Sequence, residues 1–175
     1  VLTAFEPTNE VGGTATSISR MLNVQYRMNK LICEWASAAM YHNQLQSDTS
    51  VADHALDDLP HVDTSRSAND MTNAIMLLID TAGCGMEEAP SRRGSHKNEK
   101  EAAVVVAHIE QLLQTGLRED EIAVITPYNG QKELLQEFLQ EQHPRLDIKS
   151  VDGFQGGERE AVVMSLVRSN ERREV

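Results

Sequence analysis

At 175 residues, with 40% apolar and 25% charged residues, the chain has the size and composition of one ordinary globular domain. Two cysteines, Cys33 and Cys84, cannot build a disulfide framework and point to a reduced intracellular setting, cytoplasmic and/or nuclear. No apolar run approaches the roughly 20 residues that span a bilayer, so no membrane partner is expected. The net charge of −11 argues at first against a nucleic-acid partner. That charge is concentrated, however: residues 43–90 hold nine Asp/Glu and a single base, Arg66, leaving the remainder close to balanced.

Residues 1–20, with Gly12-Gly13 and several Thr and Ser, read as a linker or arm. Because it begins without Met, the chain is expected to be processed or to be part of something longer. From Asn29 to Tyr41 the spacing of Leu31, Ile32, Trp35, Ala38 and Ala39 predicts a helix. Residues 42–74 lack periodicity and are expected to form acidic surface loops with short elements, and the acidic region 43–97 is expected on the surface, away from the nucleic-acid edge. Ile75–Asp80 is a short strand candidate. A loop over roughly 83–97 follows, with Gly83, Gly85, Pro90, Gly94 and the pair Arg92-Arg93.

The rest alternates. Asn98–Thr115 is a predicted helix with a capping box of Asn98 and Glu101, an apolar stripe of Ala102, Val105, Ile109 and Leu112, and a stop at Gly116. Ile122–Thr126 is an apolar strand. Gln131–Gln142 is an amphipathic helix with Leu134, Leu135, Phe138 and Leu139 inward, and Ile148–Val151 and Ala161–Val167 complete the strands. Apolar strands alternating with helices indicate an α/β fold: a parallel sheet with helices on both faces.

Ligands of such sheets bind beyond the carboxyl ends of the strands. Those ends read Thr126-Pro127-Tyr128-Asn129, Ser150 to Glu158, and Arg168-Ser169-Asn170, each polar directly after an apolar run. Singly, each is an ordinary turn. Together they mark one edge of the sheet. Gly153 and Gly156-Gly157 allow close approach of a phosphate or base, although their spacing fits no nucleotide loop. No G-x-x-x-x-G-K-[ST] phosphate loop, no Asp-Glu pair after an apolar strand and no G-x-S-x-G elbow occurs. The six histidines are scattered without zinc-ligand spacing, so no metal site is expected. Arg27, in Gln25-Tyr26-Arg27-Met28 just before the first helix, could be a solvated residue, an ion-pair partner or a phosphate clamp.

Four segments occur in order: Leu22 to Met28, Ile125 to Gln131, Ser150 to Glu158, and Ser165 to Asn170. This string resembles the C-terminal, second RecA-like motor domain of the superfamily 1B helicases that include the nonsense-mediated-decay helicase. Asp80 to Gly85 and Lys149 to Gly156 are similar to its immunoglobulin-mu-binding branch. The resemblance implies a RecA-like P-loop NTPase fold over residues 21–175, without the P-loop itself. It also implies an ATP-dependent motor moving 5′ to 3′ on single-stranded RNA or DNA, with ATP held between this domain and a first RecA-like domain. Arg27 matches the arginine that reaches the γ-phosphate; Gln155, Gly157 and Glu158 match the nucleotide-facing motif. Thr126, Pro127, Asn129, Ser150, Val151 and Arg168 match the nucleic-acid track. The P-loop lysine and the Mg2+ ligands would belong to the first domain. Two departures stand out: Gly157 replaces the usual Arg or Lys, and the chain ends at Val175 before the motif with the finger arginine. By this reading the chain alone is inactive. The alternative is a non-catalytic RecA-fold interaction or regulatory module; a small-molecule enzyme lacks a catalytic constellation.

Overall fold

The computed structural model describes residues 20–66 and 70–170. The expected arm over residues 1–20 falls, except for Arg20, outside them. Regular structure is concentrated after Asn98. Helix α2 (Glu99–Gln114) starts where the Asn98 side chain accepts the Glu101 N–H, and Ala102, Val105, Ile109 and Leu112 are its buried stripe, as the spacing predicts. Gly116, at φ +100°, turns the chain beneath the His61 carbonyl, where a Cβ would have no room.

Strand β5 (Ile122–Thr126) is buried at every residue. It runs parallel to β6 (Asp147–Ser150) on one side and β7 (Ala161–Met164) on the other, in the order β6-β5-β7. Helix α3 (Asn129–Leu139) connects β5 to β6 and buries Leu134, Leu135 and Leu139, while Phe138 stays exposed. Ile109, Leu112, Ile122, Val124, Leu135 and Ile148 belong to one apolar cluster that joins α2, α3 and one face of the sheet. Each fully buried side chain of this kind contributes about 1.5–3 kcal/mol. The expected cover on both faces is met on this face among the described residues. The opposite face leaves Val162 and Met164 exposed.

Before Asn98 the structure is finer-grained. Helix α1 (Lys30–Met40) is capped by Asn29 and matches its predicted span. The spacing that gives the helix does not give its buried side: Leu31, Ile32 and Trp35 are exposed, and Cys33 and Ser37 are the buried residues. Ser37 Oγ donates to the Leu45 carbonyl at 2.9 Å and accepts the Leu45 N–H at 3.0 Å, so a polar exchange sets the buried side. Two-residue strands β1 (Val24–Gln25) and β2 (Gln46–Ser47) pair in parallel, and β3 (Ala89–Pro90) pairs antiparallel with β4 (His96–Lys97). Single 3-10 turns cover Leu56–Asp58, Thr64–Arg66 and Asp70–Asn73. The acidic stretch is therefore not all surface loop: Val62 is buried in the main cluster, and Leu56 and Leu59 pack against it. The strand expected at Ile75–Asp80 does not form. Met76, Leu77, Leu78 and Ile79 stand exposed, and an apolar run without a partner ladder gains nothing from extended geometry.

Candidate functional site

Arg27 owes its position to Gln25. The Gln25 side-chain oxygen accepts the N–H groups of Arg27 and Met28, both at 2.7 Å, while Nε2 donates to the Met28 carbonyl at 2.7 Å and to Ser47 Oγ at 2.6 Å. One glutamine thus fixes the loop backbone between β1 and α1 and leaves the Arg27 guanidinium outside. There Arg27 Nε meets Glu158 Oε2 at 2.7 Å, with both side chains more than half exposed. The two residues that sequence reasoning assigned to one nucleotide wall are in direct contact. An exposed pair of this kind is worth about 0–1 kcal/mol, so a phosphate can replace the carboxylate at little cost.

The residues fit a nucleotide on chemical grounds. A guanidinium already engaged by an oxyanion offers the same planar fork to phosphate oxygens, and the carboxylate so released accepts hydroxyl donors. Among the described residues no group of three or more His, Cys, Asp or Glu could hold a metal ion. The acidic stretch approaches this wall: Asp53 pairs with Lys30 at 2.7 Å, and His54 Nε2 lies 2.9 Å from Glu160.

The strand ends converge as the parallel register requires. Thr126 stands opposite Ser150 in the ladder, and the Val151 N–H donates to the Thr126 carbonyl at 3.2 Å. Pro127, Asn129, Val151 and Gln155 are exposed. A cleft of about 430 Å³ lies between Ile125 and the loop of Val151, Asp152, Phe154 and Gln155. Thr126 differs from its neighbours. It is fully buried, and its hydroxyl accepts the Tyr128 N–H at 3.4 Å, so it shapes the turn from behind. Ser150 Oγ accepts the Gly153 N–H at 3.2 Å and holds the single turn Asp152–Phe154. Gly157 is closely packed: a Cβ there would lie 2.8 Å from the Phe154 ring and 2.9 Å from its carbonyl oxygen. A larger residue would require the Phe154 turn to shift.

Arg168 is held away from solvent. Its Nε lies 3.2 Å from Glu88 Oε1, with side-chain exposures of 18% and 9%, without the alignment of a hydrogen bond. Glu88 also accepts the Ser169 N–H at 2.6 Å and the Asn170 amide at 2.9 Å. Burial opposes its ionisation, but the Ser169 and Asn170 hydrogen bonds and the Arg168 charge prevail and hold its carboxyl below the usual value.

Glu88, Asn98, Glu101 and Gln131 were absent from the sequence-based site. Asn98 and Glu101 read as a capping box, and half of that reading fails. Glu101 does not return to the Asn98 N–H, which donates instead to Gln131 Oε1 at 2.7 Å. The Glu101 carboxylate crosses to Ser165 Oγ at 2.6 Å and to the Val167 N–H at 3.0 Å. No local spacing signals a partner more than sixty residues away.

Comparison with known proteins places the chain in a family. The signature of a family described as the AAA domain matches residues 3–175. The rat DNA-binding protein SMUBP-2 is 49% identical over 160 residues, which is 91% of this chain and 16% of that protein. A fruit-fly homologue of regulator of nonsense transcripts 1 is 36% identical over 86% of this chain and 13% of its own length. An uncharacterized ATP-dependent helicase of Methanocaldococcus jannaschii is 33% identical over 86% of this chain and 22% of its own. The chain thus spans less than a quarter of each of these relatives.

Proposed function

The chain belongs to the AAA domain family, with its RecA-like α/β fold, and on that premise we propose that it forms one wall of an ATP-driven helicase motor on single-stranded nucleic acid. In this reading residues 21–175 are the second motor domain, and a first RecA-like domain of the same protein supplies the P-loop and the Mg2+ ligands. The observation that carries it is the contact of Arg27 with Glu158, which joins the two nucleotide-facing segments at 2.7 Å. The names of the similar proteins, with their helicase and DNA-binding activities, support the same class.

The chemistry supplied when ATP and Mg2+ are bound is phosphoryl transfer to water. Arg27 leaves Glu158, places its guanidinium on phosphate oxygens and stabilises the charge that develops there. Glu158, once released, is free to accept sugar hydroxyls, with Gln155 exposed on the same loop and Gly157 keeping it close-packed. Across the sheet edge, the Ser150 hydroxyl and the Asn129 amide hold backbone phosphates without reading sequence. Pro127 and Val151 give that track its exposed apolar floor. Thr126 acts indirectly, by fixing the turn that presents Asn129.

In the full-length protein Arg27→Ala is expected to lower ATP turnover by about 10³, with nucleotide-free binding to single strands retained. Arg27→Lys restores only part of this, because a point charge lacks the planar fork. Turnover within twofold of wild type in Arg27→Ala would remove the clamp role, and a full-length wild type without turnover would favour a non-catalytic module.

A further inference from the structure

Strand β7 ends in an unusual turn. The Arg168 N–H donates to the Leu166 carbonyl at 2.8 Å, closing a three-residue loop around Val167 at φ +72°. A positive φ is costly for any β-branched residue, and a three-residue turn of this hand is the rare, strained form. Val167 is also fully buried, so water cannot relieve its backbone groups. Such strain persists only where the surroundings over-determine it, and it concentrates at functional loops.

The surroundings are specific. Both oxygens of the Glu101 carboxylate lie 3.0 Å from the Val167 N–H, and one also accepts the Ser165 hydroxyl at 2.6 Å. Asn98 Nδ2 donates to the Val167 carbonyl at 3.2 Å. Gln131, on α3, donates to Ser165 Oγ at 3.0 Å and to the Asn98 carbonyl at 3.2 Å, and accepts the Asn98 N–H. Asn98, Gln131 and Ser165 are each at most 1% exposed. The network therefore ties the start of α2, the start of α3 and the end of β7 into one unit. The loops it binds are those carrying Asn129 and Arg168.

We propose that Glu101 is a positioning residue that holds the strained Val167 turn, and with it the 165–170 loop, in register with the nucleic-acid track at Thr126–Asn129. The inference rests on the motor reading but concerns a side chain that touches neither nucleotide nor nucleic acid. A helix cap would need only the first-turn N–H groups of α2. This carboxylate instead spends its bonds on the 165–170 loop, and Glu88 holds the same loop from beyond the turn.

The test uses the full-length protein, with ATP turnover measured against increasing oligo(dT). Glu101→Gln presents an amide N–H group to the Val167 N–H and is expected to raise the half-saturating oligo(dT) concentration about tenfold, the scale of one or two lost charge-assisted hydrogen bonds. Maximal turnover and the KM for ATP stay within about twofold. Adding Val167→Gly, which adopts positive φ without strain, restores most of the oligo(dT) dependence in the Glu101→Gln background. Should Glu101→Gln fail to fold, Ser165→Ala removes one of the same bonds, and a rise of about threefold is expected. A merely structural role predicts another result: lower melting temperature and lower maximal turnover, with half-saturation unchanged. That result, or a double variant no better than Glu101→Gln alone, overturns the proposal. A wild-type protein with no oligo(dT) stimulation removes the motor reading itself, and so separates the two failures.

Discussion

Residues 98–170 and residues 20–97 are held together by different forces. The later half packs α2 and α3 on a parallel sheet, and its stripes of Leu, Ile and Val vanish from solvent. Among its described residues the earlier half has one α-helix, two-residue strands and single turns, and it leaves Leu22, Trp35, Met40 and Leu78 more than 60% exposed. Its order comes from individual polar bonds: Gln25 to Met28 and Ser47, Ser37 to Leu45, and Thr64 to Asp57. Nonspecific burial therefore builds the platform, and directional bonds aim Arg27, the proposed phosphate clamp, from a weaker frame. The proposed motor role would gain from this division, with the Arg27 segment free to adjust while the strand ends stay fixed.

The sharpest way to break the comparison is to remove apolar volume from each half. Leu135→Ala empties a fully buried site and is expected to cost about 2–5 kcal/mol in denaturant unfolding. Leu78→Ala removes the same atoms from a side chain 84% exposed, and a change within about 0.5 kcal/mol is expected. Equal losses would mean that Leu78, like Val62, belongs to the hydrophobic core.

A smaller effect separates aiming from stability. Gln25→Ala deletes four hydrogen bonds around the Arg27 backbone but sits where solvent can partly replace them. Unfolding free energy is expected to fall by about 1–2 kcal/mol. ATP turnover in the full-length protein should fall further than that loss explains, because a misaimed guanidinium costs rate at a folded site. Turnover that simply follows the folded fraction would assign Gln25 to stability alone.

The same division decides how much was legible in the sequence. Helix α2, helix α3 and the three paired strands announce themselves through apolar periodicity, because that periodicity is the force that folds them. Their stripes fell where predicted, except Phe138. Helix α1 was legible as a helix and not as a face: Asn29 and the spacing give the element, while the Ser37 exchange with Leu45 decides which side is buried. Ile75–Asp80 has the composition of a strand, but a strand exists only with a partner, which local sequence does not encode. At the site, motif order brought out Arg27 with Glu158 and Thr126 with Ser150. The burial of Thr126, the capture of Arg168 by Glu88 and the long reach of Glu101 depend on contacts between distant segments. Spacing could not have supplied them.

The smallest expected effect concerns the later half and a polar clasp between its two helices. His143, just past α3, lies 2.9 Å from Glu110 on α2 and 3.4 Å from Glu119. Burial disfavours its charged form, but the hydrogen bonds and charges of Glu110 and Glu119 outweigh this and raise its pKa above the ordinary 6.5. A group whose pKa is raised on folding stabilises fully below its unfolded value and loses that contribution as pH climbs through the folded value. The clasp should therefore strengthen the fold near pH 6 and fade above neutrality. His143→Gln retains hydrogen bonding without the charge. Wild type is expected to exceed it by less than about 1 kcal/mol near pH 6, with the gap closing as the pH rises above neutrality. Urea unfolding of both proteins across that range decides it. A gap that widens with rising pH would mean that neutral His143 is the stabilising form, and that packing between α2 and α3, rather than charge, sets its worth.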